Sequence, residues 1–414
     1  MSPHPPVFTI TPTAQQYDWG QVGLSSKVAQ FAKATDVESI DESKPYAELW
    51  MGTHTKSPST VEGKPLSDVL AANPRFIGDD VAKKFDAANG NLPYLFKVLA
   101  IAKALSIQSH PDKATAERLH AEQPDIYKDP NHKPEMALAI SPFTALCGFQ
   151  PLEEIAKYLS STPELAQLTS ITPAQLTAFT SADSPDAKST LRALFADIAG
   201  APDSKFKPAL EQLIARYKAG KEHADERPIK SLILQLHEQF PGDIGAFCAF
   251  LLNIVHLQPG EAIFLGAGEP HAYVSGDIIE CMANSDNVIR AGLTPKLRDV
   301  PNLLSTLTYN SSSSSKHTVN PTAFQGSQYT TLYDPPIPEF SVLQSLLPAG
   351  TAEKQPAVAG PSITIVTEGS AELKWESGSL NAPVGTVFFV AAGTPLEVKA
   401  GQDKAVLYRA FVEA

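Results

Sequence analysis

The 414-residue chain has only three cysteines, Cys147, Cys248 and Cys281, and no Cys-x-x-Cys pair. An odd, scattered set in apolar or mixed settings argues against a disulfide framework and a thiolate zinc site, and fits reduced thiols. Basic residues are also in short supply. The 33 Lys and Arg stand against 45 Asp and Glu, for a net charge of −12. A general nucleic-acid binder needs a cationic surface to displace phosphate counterions, so that class is excluded; a single cationic pocket for a small anion is not. No apolar run reaches the ~20 residues needed to span a bilayer, and the stretch from Met1 to Ile10 lacks the basic and apolar regions of a signal peptide. A cytoplasmic protein with no membrane and no nucleic-acid partner is expected, and a monomer is the default.

What is present is an ordinary globular composition, 43% hydrophobic and 19% charged, in a chain too long for one core. Residues 7–150 carry short apolar runs cut by Gly and Pro, such as Val7 to Ile10, Tyr46 to Gly52 and Tyr94 to Leu99. They predict strands of a sandwich or barrel, interrupted by one or two helices, notably Lys113 to Gln123 after a Pro-Asp start. From Pro151 the period changes. Leu191, Leu194, Phe195 and Ile198 fall at i, i+3, i+4 and i+7, as do Leu210, Leu213, Ile214 and Tyr217, so each run carries one apolar helical stripe. Ile229 to Phe240 and Ala246 to Leu257 read as further helices. Strand texture returns at Gln258, is broken by a polar surface loop from Ser311 to Ser315, and continues past Pro321 to Val412. The chain is predicted to be mainly β with a helical insertion. A discontinuous β domain takes residues 1–150 and 258–320, a helical domain residues 151–257, and a carboxy-terminal β domain residues 321–414.

Within the first β domain, Ser106, Gln108 and His110 alternate with Leu105, Ile107 and Ser109, so a strand here puts an amide and an imidazole on one face. Glu135 adds a carboxylate at the head of another strand-like run, Met136 to Ile140. One nitrogen and two oxygens suit Zn²⁺ or a similar divalent ion, with a fourth ligand due from elsewhere.

Two segments superimpose in pattern: Gly260 to His271 and Gly385 to Leu396. Each runs Gly, five mostly apolar residues, two small residues, Gly, a polar residue, Pro, and a final position that the turn aims inward. Short Gly/Pro turns recur by coincidence, but this pattern resembles the second motif of the cupin barrels, whose last position is a metal-binding histidine. The resemblance implies two cupin-like (jelly-roll) β-barrels. One is metallated through His271; the other has Leu396 at that place and only a packing role. His271 then completes a set of Gln108, His110, Glu135 and His271.

Several further motifs occur in order. They are Gln16-Tyr17-Asp18-Trp19-Gly20, Tyr46 to His54, Gln108 to Lys113, Asn131-His132-Lys133-Pro134-Glu135, Gly268 to Tyr273 and Glu280 to Lys296. Together they resemble the type I mannose-6-phosphate isomerases (phosphomannose isomerases), in a eukaryotic, fungal-like form. The resemblance implies one Zn²⁺ per chain and interconversion of mannose 6-phosphate and fructose 6-phosphate through a cis-enediolate, feeding GDP-mannose, glycoprotein and cell-wall synthesis. It places Arg290 opposite the enediolate, where a guanidinium offers paired donors to adjacent oxygens; the plain alternative is an ion pair with Glu280 or Asp286. Glu280 is the favoured proton shuttle, with zinc-bound water as the alternative, and His132 is assigned to ring opening. Lys133 and Tyr273 are expected on sugar hydroxyls, and Ser106, Lys97 and Lys296 on the phosphate. Trp19, Glu48 and Asp286 are expected to line the pocket. The rival readings are an Fe²⁺ cupin oxygenase, which Gln108 as a ligand argues against, and a sugar-phosphate-binding cupin without catalysis, for which Arg290, Glu280 and Lys133 are superfluous.

Overall fold

In the computed structural model, residues 4–34, 39–179, 181–182 and 184–414 are described; Met1 to Pro3 of the amino-terminal stretch lie outside them. The fold turns on one long strand, His271–Ala283. Near its middle, Gly276 has φ +109°, and a Cβ there would lie 2.5 Å from the Pro142 carbonyl oxygen, so glycine is required for the bend. Before the bend the strand pairs with Phe143–Phe149 and, at His271, with Gln108 of Ile107–Ser109. After it the partners are Tyr94–Ile101 and Glu135–Ala139. One bent strand therefore touches every segment that carries a candidate metal ligand, within an eleven-stranded sheet.

The carboxy-terminal unit stacks a seven-stranded sheet on a four-stranded one. Val366, Leu373, Phe388, Leu396, Val398 and Leu407 fill the space between them. The outer face of the seven-stranded sheet, with Ile363, Ile365, Phe389, Tyr408 and Ala410, packs on Leu49, Phe96, Val98, Ile279 and Cys281 of the first unit. Burying side chains of this size is worth roughly 1.5–3 kcal/mol each, so this shared core holds the two units together. The Gly/Pro repeat is conformational as well as textual: Gly260 and Gly385 have φ of +91° and +87°, and Gly268 and Gly393 of +75° and +72°.

The helical insertion forms where the stripes predicted it. Leu191, Leu194, Phe195 and Ile198 of Pro185–Ala199 and Leu210, Leu213, Ile214 and Tyr217 of Asp203–Lys218 share one core. Its last segment differs from expectation. The helical turns stop at Leu251, and Leu252–Leu257 is a strand antiparallel to Phe143–Phe149. A short apolar run is compatible with either state, and here an open sheet edge decides. Val7–Thr9 also crosses over, pairing with Val387–Val390 of the carboxy-terminal sheet rather than with the first unit. Helices Lys27–Ala34, Leu66–Ala71 and Asp79–Lys84 add to the expected one, Lys113–Glu122, whose Asp112 cap accepts the Thr115 amide at 2.7 Å. The serine run is less exposed than its composition suggests: Ser311 is buried, and its Oγ donates to the Gln150 carbonyl at 2.7 Å. Among the described residues no helix is long and apolar enough to cross a membrane.

Candidate metal centre

His110, Glu135 and His271 are all buried, and their ligand atoms lie within 4.8 Å of one another. Each sits at a strand terminus, where the backbone frees the side chain to turn inward. His110 follows Ile107–Ser109, Glu135 opens Glu135–Ala139, and His271 opens the long strand after the Gly268–Pro270 corner. Gly268 is pinned there because its amide donates to the His110 carbonyl at 2.9 Å, and a Cβ on it would lie 2.6 Å from the Thr306 oxygen.

The backbone also sets the tautomers. His110 Nδ1 lies 2.6 Å from the Asn287 carbonyl and His271 Nδ1 3.0 Å from that of Glu269. A carbonyl only accepts, so each Nδ1 carries the proton and each neutral Nε2 presents a lone pair. Those lone pairs face Glu135, at 3.4 Å for His110 and 3.2 Å for His271. Burial pushes the His110 pKa down to about 4, against the pull of Glu135. Burial pushes Glu135 up, but the Lys133 ammonium, 3.0 Å away, opposes it, and the carboxyl lies well below the usual carboxylate range. Among the described residues, His110 Nε2, His271 Nε2 and Glu135 Oε2 are left buried without hydrogen-bond partners. Three such atoms converging lone pair to lone pair are costly unless a cation sits among them, and two nitrogens with a carboxylate suit a divalent ion such as zinc. Gln108 stands across the ladder from both His271 and Arg290, with Ser106 Oγ donating to its Oε1 at 3.4 Å.

Two adjoining cavities lie beside this centre, one lined by Gln108 and the other by Lys133, while His110, Glu135 and His271 line neither. One of about 520 Å³ is lined by Trp19, Lys103, Ser106, Gln108, Arg290 and Lys296, and by Gln239, Phe240 and Asp243 of the insertion. The other, about 330 Å³, is lined by Trp19, Glu48, His54, Lys97, Lys133, Asp286, Arg290 and Lys296. Asp243 joins the insertion to the loop after Arg290: Oδ1 accepts the amides of Gly245 and Leu293, each at 2.7 Å, and Oδ2 that of Thr294 at 3.1 Å. Sequence reading missed Gln239, Phe240 and Asp243 because nothing in a helical stripe tells which end faces a distant pocket.

The Arg290 side chain has no ion pair or hydrogen bond among the described residues, and burial lowers its pKa. The alternative that it merely pairs with Glu280 or Asp286 fails on this point. Asp286 instead holds Lys56 at 2.8 Å and His54 at 3.6 Å.

Three expected contacts need correction. Lys97 is not free for a phosphate: the ladder sets it opposite Glu280, and its Nζ lies 3.1 Å from that carboxylate and 3.3 Å from Glu48. His132 faces away from the centre, with Nε2 on Glu339 in a separate cavity beside Lys83, Lys84 and Lys113. Tyr273 shares a face with His271, but its ring packs edge-on against Phe143 at 5.5 Å and lines neither cavity. Glu280 is set back behind Lys97; burial raises its pKa, with Lys97 opposing.

A bent β scaffold carrying a buried His₂–carboxylate centre, with an unpaired arginine beside it, is the arrangement of a metal-binding site in a β-fold protein. Comparison with known proteins narrows the class. Models of the phosphomannose isomerase type I catalytic domain, helical insertion domain and C-terminal region match residues 7–152, 168–252 and 331–377. The mannose-6-phosphate isomerase of Cryptococcus neoformans is 46% identical over 433 residues, covering 99% of this chain and 100% of the relative. That of Saccharomyces cerevisiae is 45% identical, covering 98% and 99%. A solved zinc-bound mannose 6-phosphate isomerase superimposes with a TM-score of 0.82 at 30% identity, over 99% of this chain and 100% of that one. The chain belongs to the type I phosphomannose isomerase family.

Proposed function

We propose that the chain interconverts mannose 6-phosphate and fructose 6-phosphate by proton transfer between C1 and C2 through a cis-enediolate, with one zinc ion per chain. The observation that carries this reading is the convergence of two Nε2 lone pairs and a carboxylate oxygen, all buried and unpartnered, beside an unpaired Arg290.

Gln108, His110, Glu135 and His271 hold the ion in this reading. Bound there, zinc supplies Lewis acidity toward the sugar oxygens at C1 and C2. Arg290, desolvated and without a competing carboxylate, meets the negative charge that develops on those oxygens; its fixed donors need no reorganisation as the charge forms. Lys133 holds Glu135 in place and presents its ammonium to the smaller cavity. Glu280 is the proton carrier: burial makes its carboxyl easier to protonate than an exposed glutamate. Lys97, between Glu280 and Glu48, fixes that carboxylate rather than binding phosphate. The phosphate is placed at Ser106 and Lys296, with Lys103 close by on the same wall, and Trp19 closes the side where the two cavities join. In the cell the reaction supplies mannose 6-phosphate for GDP-mannose, and so for glycoprotein and cell-wall mannose.

The test is turnover. Zinc-loaded protein is incubated with mannose 6-phosphate and fructose 6-phosphate is followed, before and after chelation and after zinc is restored. Activity should vanish and return; no turnover in the metal-replete protein overturns the reading.

A further inference from the structure

Two stretches beside the metal centre belong to no helix or sheet, residues 128–134 and 284–288. Without ladder partners, their backbone groups must find side chains instead. Asp129 is the hub between them. Its Oδ1 accepts the Asn131 amide at 2.9 Å and the Ser285 hydroxyl at 2.8 Å, and its Oδ2 accepts the Asp286 amide at 2.7 Å. The side chain of Asn287, 1% exposed, closes the other side: its Nδ2 donates to the carbonyls of Asp129 at 2.7 Å and Asn131 at 2.9 Å. Both acceptors are backbone carbonyls, so the nitrogen end of that amide is fixed there.

Both ends of this network run into the metal centre. The Asn287 carbonyl lies 2.6 Å from His110 Nδ1 and sets its tautomer. On the other stretch, Lys133 and Glu135 follow Asp129 along the chain, and the Pro134 carbonyl accepts the Ala283 amide at 3.1 Å, just before the second loop. A shift of residues 284–288 carries the Asn287 carbonyl with it, and an imidazole held at Nδ1 swings its Nε2 when that contact moves. His271 stands outside the network, because its Nδ1 is held by the Glu269 carbonyl. Asp129 lines neither cavity, so its influence on the centre passes through Asn287.

We propose that Asp129 is a positioning residue for the metal centre: its carboxylate fixes the 284–288 loop so that the Asn287 carbonyl holds His110 with Nε2 turned to the ion. A carboxylate suits this task, since the groups around it are two backbone amides and a hydroxyl, all able to donate, and hydrogen bonds to a charged acceptor are the stronger kind. Asparagine in its place keeps one acceptor but turns an NH₂ group toward the Asp286 or the Asn131 amide, donor against donor. The inference rests on the reading of the centre as a zinc site and not on the reaction.

The zinc dissociation constant of the full chain is measured by chelator competition for wild type, Asp129→Ala and Asp129→Asn. Groups that orient a metal-ligating histidine contribute about 10–100-fold to metal affinity, so Asp129→Ala should weaken zinc by about 10-fold or more, and Asp129→Asn by less. A second readout separates a local effect from a general one. In zinc-saturated protein with isotope-labelled histidines, solvent exchange of the ring N–H protons is followed by NMR. The His110 Nδ1–H should exchange faster in both variants, while the His271 Nδ1–H keeps its protection. Unchanged zinc affinity in both variants overturns the proposal; so does equal quickening at His110 and His271, the mark of general loosening. If Asp129→Ala does not fold, Asp129→Asn decides by the same two readouts. Wild-type protein that binds no zinc overturns the zinc reading, and this inference with it, whereas protein that binds zinc without turnover overturns only the proposed reaction.

Discussion

Replacing Lys97 by methionine tests whether this buried ammonium serves the fold or the substrate. Nζ lies 3.1 Å from Glu280 and 3.3 Å from Glu48, and 5.1 Å from the centre of the Trp50 ring. At an effective dielectric near 20 each carboxylate attracts it by ~5 kcal/mol. Most of that gross attraction is offset by the desolvation of three charges, so the pair energies are not the net stabilisation. Removing the cation leaves Glu280 without an ion pair among the described residues, at 3% exposure, and breaking a buried pair in this way costs about 3–5 kcal/mol. Glu48, on the cavity wall, keeps the Trp50 indole N–H at 2.5 Å. Lys97→Met should therefore lower the thermal midpoint of the zinc-loaded protein, read by far-UV circular dichroism. Adding Glu280→Gln, which removes the stranded charge, should recover part of the loss, with a coupling of about 1–3 kcal/mol. KM for the sugar phosphate should change little beside the loss of stability. A midpoint unchanged in Lys97→Met, together with a large rise in KM, would refute the reasoning and return Lys97 to the phosphate.

Arg290→Gln should cut kcat by about 10²–10³, the usual effect of losing one preorganised donor to a developing oxyanion; zinc content by metal analysis should not change, and wild-type turnover would remove Arg290 from the chemistry. Asp243→Ala strips the acceptor from the Gly245 amide and from the two amides, Leu293 and Thr294, that bind the loop after Arg290 to the insertion. A stranded buried donor costs about 1–3 kcal/mol, so hydrogen exchange at Leu293 and Thr294 should quicken, and unchanged protection there would count against the link. Glu226 in the insertion carries a pH signature. Burial raises its pKa, but Arg216 at 2.5 Å, the His223 amide at 2.6 Å and Thr162 Oγ1 at 2.8 Å outweigh it and bring the net shift down. A carboxylate with a depressed folded pKa stabilises above its unfolded pKa, about 4.3, and that stability fades as pH falls through the folded value. Wild-type helical signal should thus weaken in acid below about pH 4, whereas Glu226→Gln should start less stable at pH 7 and respond less; parallel acid curves would exclude the role.

Local periodicity and chemical type made much of this molecule legible before any coordinates. The stripe through Leu191, Leu194, Phe195 and Ile198 could only be a helix face, and the Gly-x-Pro corners predicted inward turns that the φ values of Gly268 and Gly393 repeat. Expectations failed wherever the answer lay in a partner far along the chain. Leu252–Leu257 is a strand because Phe143–Phe149 offers it an edge, in an antiparallel pairing running from Leu252↔Phe149 to Leu257↔Phe143 that no local pattern encodes. Lys97 reads as a free cation until the ladder sets Glu280, 183 residues away, across from it. His132 sits one residue from Lys133 yet faces Glu339 of the other unit, since adjacent side chains in an extended segment point to opposite sides. The same logic explains why Leu396 could be set against His271 from the sequence while Asp129 went unnoticed. The first stands inside the repeat, where a matching histidine marks the contrast; the second declares itself only by the groups of Ser285, Asp286 and Asn287 that it holds, which lie far along the chain and are visible only once every neighbour has been placed.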